Sequence, residues 1–221
     1  MPEEFKQLYL EQNPRSIRYI LQHKKEEAMS HAIIMHAHLG LFCNGNAYHT
    51  TGCYNLRCPG FVQTSRSIVM GGAISHVSVF GDKQYEITVH VWKDQKQGNW
   101  WLSLGPENLI VGYWPGELFT NLEYTENVQW VGEIVDSHSF GTDRETEMGS
   151  GHFPAEGFGK ACYFRNLEIV GSNNFQPVQS LKTNVDSKYY DVNYLDTDGK
   201  WGVHFFYGGP GFSYTHSSLG N

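Results

Sequence analysis

The sequence predicts an all-β protein, an antiparallel β-sandwich with a short helical segment at its N-terminal end. Three observations carry that expectation. Beyond Gly52, apolar residues recur with period two in several short runs. Strings rich in glycine, proline, asparagine and aspartate separate those runs at short spacing. No helix-length pattern alternates with them, which disfavours a parallel α/β sheet. Composition agrees. With 14% aromatic residues, 18% charged residues and 24 glycines among 221, the chain suits one β-rich core rather than disorder.

In chain order, residues 1 to about 30 are charged, with Ile17, Ile20 and Leu21 at helical spacing. That spacing predicts a helix-like extension over 1–40, ahead of a sandwich domain over 41–221. Next, Ile74 to Phe80 reads as a strand joined through Gly81-Asp82-Lys83-Gln84 to a second one. In that second strand Tyr85, Ile87, Val89 and Val91 alternate with Glu86, Thr88 and His90, giving one apolar and one wet face. Asn99 to Leu104, Leu109 to Tyr113, Val128 to Val135, Lys160 to Val170, Tyr189 to Leu195 and Trp201 to Tyr207 also read as extended. Gly105-Pro106-Glu107-Asn108 and Asp196-Thr197-Asp198-Gly199 supply turn chemistry between them. Glu117 to Leu122 predicts one helical turn.

The formal net charge of −7 and the lack of a basic run argue against a nucleic-acid partner. No apolar stretch reaches the roughly 18 residues of a membrane span; Ala28 to Phe42 is interrupted by Ser30, His31, His36 and His38. Cys53 and Cys58 stand five positions apart with Gly52, Pro59 and Gly60 around them. Two thiols so placed can close a small disulfide ring, a bond that persists in an oxidising compartment. Met1-Pro2-Glu3-Glu4 is neither basic nor apolar and does not open a signal peptide. The start therefore reads as truncated or altered rather than as that of a cytosolic protein.

The string Gly52-Cys53-Tyr54-Asn55-Leu56-Arg57-Cys58-Pro59-Gly60-Phe61-Val62-Gln63 closely resembles a signature of the neprosin family. That family consists mainly of plant proteins and includes secreted glutamic peptidases that cut after proline. The resemblance runs from about Leu41 to Gly211. It takes in Lys93-Asp94, Gly98-Asn99-Trp100-Trp101-Leu102, Gly112-Tyr113-Trp114-Pro115, Leu118-Phe119, Gly132-Glu133, Met148-Gly149-Ser150-Gly151 and Tyr207-Gly208-Gly209-Pro210-Gly211. The ordered set is far more specific than any one string. It implies a sandwich whose concave face carries two glutamates, acting at acid pH on proline-containing polypeptides without metal or organic cofactor. It also implies a secreted protein.

One glutamate of the pair is found. Gln129-Trp130-Val131-Gly132-Glu133 matches the stretch around the family's second glutamate, so the resemblance makes Glu133 catalytic. The first normally lies some way before the cysteines, near a Gly-Trp pair. Glu26 and Glu27 follow Lys24-Lys25 in a charged run with no Gly-Trp after them. Since one carboxyl group cannot be base and acid at once, hydrolysis is expected to be impaired. A second family cysteine pair is absent as well, which leaves Cys43 and Cys162 as expected buried thiols.

Other constellations read as structural. His31, His36, His38 and His49 match no zinc-ligand spacing. Ser150 and His152 share one glycine-rich turn, whereas a serine nucleophile needs its base presented in space. Trp100, Trp101, Tyr113, Trp114 and Trp130 suit a sandwich core, with one or two left to line a cleft. The rival function is a non-catalytic module binding peptide or cell-wall carbohydrate. A chain with no stable fold would follow if a missing internal strand left a sheet edge open.

Overall fold

A computed structural model describes residues 8–11, 16–23, 60–70, 76–119, 127–130, 132, 147–170, 174–179, 181–185 and 189–211. Its strands are β1 (Leu8–Glu11), β2 (Ser16–His23), β3 (Val62–Gln63), β4 (Tyr85–Lys93), β5 (Trp100–Leu104) and β6 (Leu109–Trp114). They continue with β7 (Asn127–Trp130), β8 (Cys162–Val170), β9 (Phe175–Pro177), β10 (Lys182–Thr183), β11 (Asp191–Asp198) and β12 (Gly202–Gly208). Helical structure among the described residues is confined to two 3₁₀ turns, Gly116–Leu118 and Pro154–Glu156.

The strands form two antiparallel sheets. The small one has the order β10-β1-β7, and the large one β11-β12-β8-β2-β4-β5-β6-β3 with β9 added beside β8. Alternation along each strand sends one set of side chains between the sheets. Val89 and Val91 from β4, Trp100 and Leu102 from β5, Leu167 and Ile169 from β8, and Val203 and Phe205 from β12 are all buried. They meet Val128 and Trp130 of β7 in one cluster. Because that cluster joins both sheets, the molecule is a sandwich. Each such side chain contributes about 1.5–3 kcal/mol on burial, so this shared interior is the dominant stabilising term.

The all-β antiparallel class therefore holds, while the N-terminal segment differs from the expected helix. Its described part is strand: Ser16–His23 runs antiparallel between β4 and β8. Ile17, Ile20 and Leu21 fit a helical period, but Ile17, Tyr19 and Leu21 equally fit a period of two. A short apolar run is ambiguous on periodicity alone, and sheet pairing decides it. The strand expected over 74–80 also differs. Within its described part Ser78 closes the turn before β4, its Oγ accepting from Tyr85 N at 2.8 Å and donating to Tyr85 O at 3.1 Å. The serine hydroxyl thus fastens the turn beside the backbone bond from Val79 N to Lys83 O at 2.9 Å.

Candidate functional site

The strings that carry the sequence argument are scattered along the chain, yet the fold gathers several of them. In β7, Val128 and Trp130 are buried between the sheets. Gly132 continues toward β12, where a side chain would meet the Tyr207 ring at 2.7 Å and Met148 Sδ at 2.8 Å. Only a glycine lets the backbone lie that close. Met148 in turn bridges to Gly209, its N–H donating to Gly209 O at 2.9 Å. Three separate strings, Trp130 to Gly132, Met148 to Gly151 and Tyr207 to Gly209, thereby converge around the end of β7.

A second convergence lies at the other edge of the large sheet. Val62 and Gln63 of β3 pair with Tyr113 and Gly112 of β6. Phe61 packs edge-on against Trp114 at 4.6 Å between ring centroids, in the space that a side chain at position 112 would need. The loop from β4 to β5 is closed by Asp94 N to Asn99 O at 2.8 Å and Gly98 N to Asp94 O at 2.8 Å. Asn99 Oδ1 then accepts from Gly116 N at 3.0 Å, fastening the chain that follows β6.

Glu133, Cys53, Cys58 and Cys43 lie outside the described residues. Cys162 is buried. Trp130 belongs to the interior, with its Nε1 buried and lacking a hydrogen-bond partner among the described residues. Ser150 and His152 sit on the turn expected for them; His152 Nδ1 lies 2.9 Å from Glu156 Oε1. The histidines at 31, 36, 38 and 49 fall outside the described residues.

Sequence reasoning missed the most developed polar cluster. On the face of the large sheet turned away from the core, Glu86 Oε1 accepts from Tyr163 Oη at 2.6 Å and from Arg165 Nε at 2.7 Å. Glu86 Oε2 accepts from Arg165 Nη2 at 2.6 Å. The arginine is therefore bidentate, the strong form of this pair. Burial alone would raise the Glu86 pKa; the Arg165 hydrogen bonds and charge, with the Tyr163 hydroxyl, outweigh it and hold the carboxyl below its ordinary value. Burial and the neighbouring Glu86 carboxylate push the Tyr163 phenol up, and its hydrogen bond to Glu86 raises the Arg165 pKa. A carboxylate kept ionised in this way cannot serve as a proton donor. Its position on the wet face was legible from alternation, but its partners were not, because they sit on a strand distant in sequence.

The same face carries an aromatic ladder. Ring centroids run from Tyr113 to Trp101 at 4.6 Å, Trp101 to Trp92 at 6.4 Å, Trp92 to His90 at 4.7 Å and His90 to Phe175 at 5.2 Å. These rings stand outside the interior cluster, and Phe175 is exposed. Near β12, Trp201 packs on Tyr163 at 4.9 Å and takes the Arg165 guanidinium over its ring at 5.7 Å.

Fold and motif geometry together define an antiparallel β-sandwich domain whose glycine and aromatic strings brace the strand leading to position 133. Residues 35–210 match the family model described as Neprosin, most of the chain, and the protein belongs to the neprosin family. Membership suggests a peptidase-related domain with a peptide substrate. No helix among the described residues is long and apolar enough to cross a membrane.

Proposed function

We propose that the chain is a glutamic-type endopeptidase domain for proline-containing polypeptides at acid pH, with hydrolysis impaired by the missing first glutamate. The observation that carries this reading is the family match over 35–210; the string Gln129 to Glu133 resembles the stretch around the family's second glutamate, and we assign Glu133 that role. The chemistry needs one ionised carboxylate to take a proton from water and one protonated carboxyl to donate to the carbonyl oxygen or leaving nitrogen. Two carboxyl groups at short range separate their pKa values and titrate as a unit. With Glu133 alone, one half of that exchange falls to solvent. A Cys53–Cys58 disulfide and an extracellular location belong to the same reading.

The test is a cleavage assay on a proline-containing peptide, comparing this chain, its Glu133→Gln form and an active two-glutamate relative. Cleavage far below that of the relative, and lower still in Glu133→Gln, supports the proposal. Turnover equal to that of the relative rejects it.

A second reading is favoured by the aromatic ladder of Tyr113, Trp101, Trp92, His90 and Phe175. Rings outside the core offer stacking surface to prolyl rings or to sugars, as a non-catalytic peptide or cell-wall carbohydrate module would require. Titration with a proline-rich peptide and with a neutral oligosaccharide, read by tryptophan fluorescence, separates the two readings. Binding of the sugar alone favours the module.

A further inference from the structure

We propose that β1 (Leu8–Glu11) and β2 (Ser16–His23) are completing strands of this neprosin-type domain: β2 fills a slot between β4 and β8 that only an extended strand fits, and β1 braces β7. Both precede the matched residues 35–210. All eight residues of β2, Ser16 to His23, pair antiparallel with Trp92 to Tyr85 of β4. On its other side Ile17, Arg18, Ile20 and Leu21 pair with Ile169, Glu168, Arg165 and Phe164 of β8. Among the described residues no other strand joins β4 to β8. Without β2 the large sheet separates into one part built on β8, β11 and β12 and another on β3 to β6, each with an open edge.

The side chains beside the slot are built to the width of an intervening strand. Glu86 stands opposite Gln22 and Arg165 opposite Ile20, so the Glu86–Arg165 pair and the Tyr163–Glu86 hydrogen bond span from β4 to β8 across β2. Strands either side of a third are about 10 Å apart, twice the usual spacing. An arginine, a tyrosine and a glutamate are long enough to meet over that distance. β1 works in the small sheet. Leu8, Tyr9, Leu10 and Glu11 pair with Trp130, Gln129, Val128 and Asn127, and Leu8 and Tyr9 also pair with Thr183 and Lys182. β1 is thus an interior strand of the small sheet and β2 of the large one, and β1 pairs with the strand that leads to Glu133. The occupant of the slot is the chain's own β2, held by main-chain pairing on both sides as in strand addition.

The inference is independent of the peptidase reading, and its test does not use activity. A site-specific protease recognition sequence is inserted after Lys25 in the full chain, which is then cleaved under native conditions and passed through size-exclusion chromatography. The N-terminal fragment is expected to co-elute with the remainder in equal amount and to separate only on unfolding. Separation accompanied by loss of the β-sheet circular dichroism also supports the proposal. Ile20→Pro, which removes a ladder donor from an interior strand, is expected to release the fragment or to abolish the cooperative transition. The proposal is overturned if the fragment separates freely from a remainder that keeps its β-sheet signal and unfolding transition, if the Ile20→Pro chain behaves as the parent, or if the uncut chain shows no cooperative transition.

Discussion

Gly132 and Glu86 show what single residues do here. A side chain at 132 has nowhere to go, since the Tyr207 ring and Met148 Sδ already occupy the space. Gly132→Val is expected to destabilise the fold by about 1–3 kcal/mol through overpacking, measured by equilibrium denaturation; an unchanged midpoint would remove the bracing role assigned to that contact. Arg165→Ala breaks a bidentate pair that is only partly exposed, at a cost of about 1–2 kcal/mol at neutral pH. The sign of its pH dependence follows from the direction of the Glu86 shift. A carboxyl held below its ordinary value of 4.5 contributes stability that is full above that value and is lost as pH falls through the lower folded value. The gap between parent and Arg165→Ala should therefore be present at pH 7 and close on further acidification. Denaturant unfolding at pH 7 and pH 3 checks it, and a gap of the same size at both would contradict the assignment.

At the scale of elements, most strands were legible because one face of each is dry. Val89 and Val91 against Thr88 and His90 gave β4, and Trp100 and Leu102 gave β5. What stayed hidden depends on contacts distant in sequence. Ile17, Ile20 and Leu21 of β2 fit a helical period while Ile17, Tyr19 and Leu21 fit a period of two, and only pairing with β4 and β8 separates the two. The Glu86 cluster was hidden for the same reason, since its partners lie across that strand. Of the candidate site, the glycine and aromatic strings were legible and their convergence around the end of β7 was not. Neighbouring tryptophans in β5 give a direct check on face assignment. Trp100 is 1% exposed in the interior, so Trp100→Ala is expected to cost about 3–5 kcal/mol. Trp101 lies in the ladder on the opposite face, and Trp101→Ala is expected to lose about 0.5–1.5 kcal/mol of ring pairing together with part of its area burial. Equal losses in the two variants would mean that the faces are wrongly assigned.

At the scale of the whole molecule, a neprosin-family sandwich is assembled with its interior shared between two sheets, β1 lying inside the small one and β2 inside the large one. The chain keeps the framework that braces the strand before Glu133, and on the proposed reading Glu133 acts without a first glutamate, since no Gly-Trp pair stands ahead of the cysteines. General acid–base catalysis contributes typically 10²–10⁴-fold, so loss of one partner is expected to lower hydrolysis by about that factor. Binding of substrate draws on other contacts and is expected to survive. The most direct measurement is mass-spectrometric detection of products after the purified chain and its Glu133→Gln variant are incubated at acid pH with a proline-containing peptide, beside an active two-glutamate relative. The account predicts bound and largely intact peptide, with cleavage about 10²–10⁴-fold below the relative and lower again in the variant. Turnover at the relative's rate, or residual cleavage indifferent to Glu133→Gln, would contradict it.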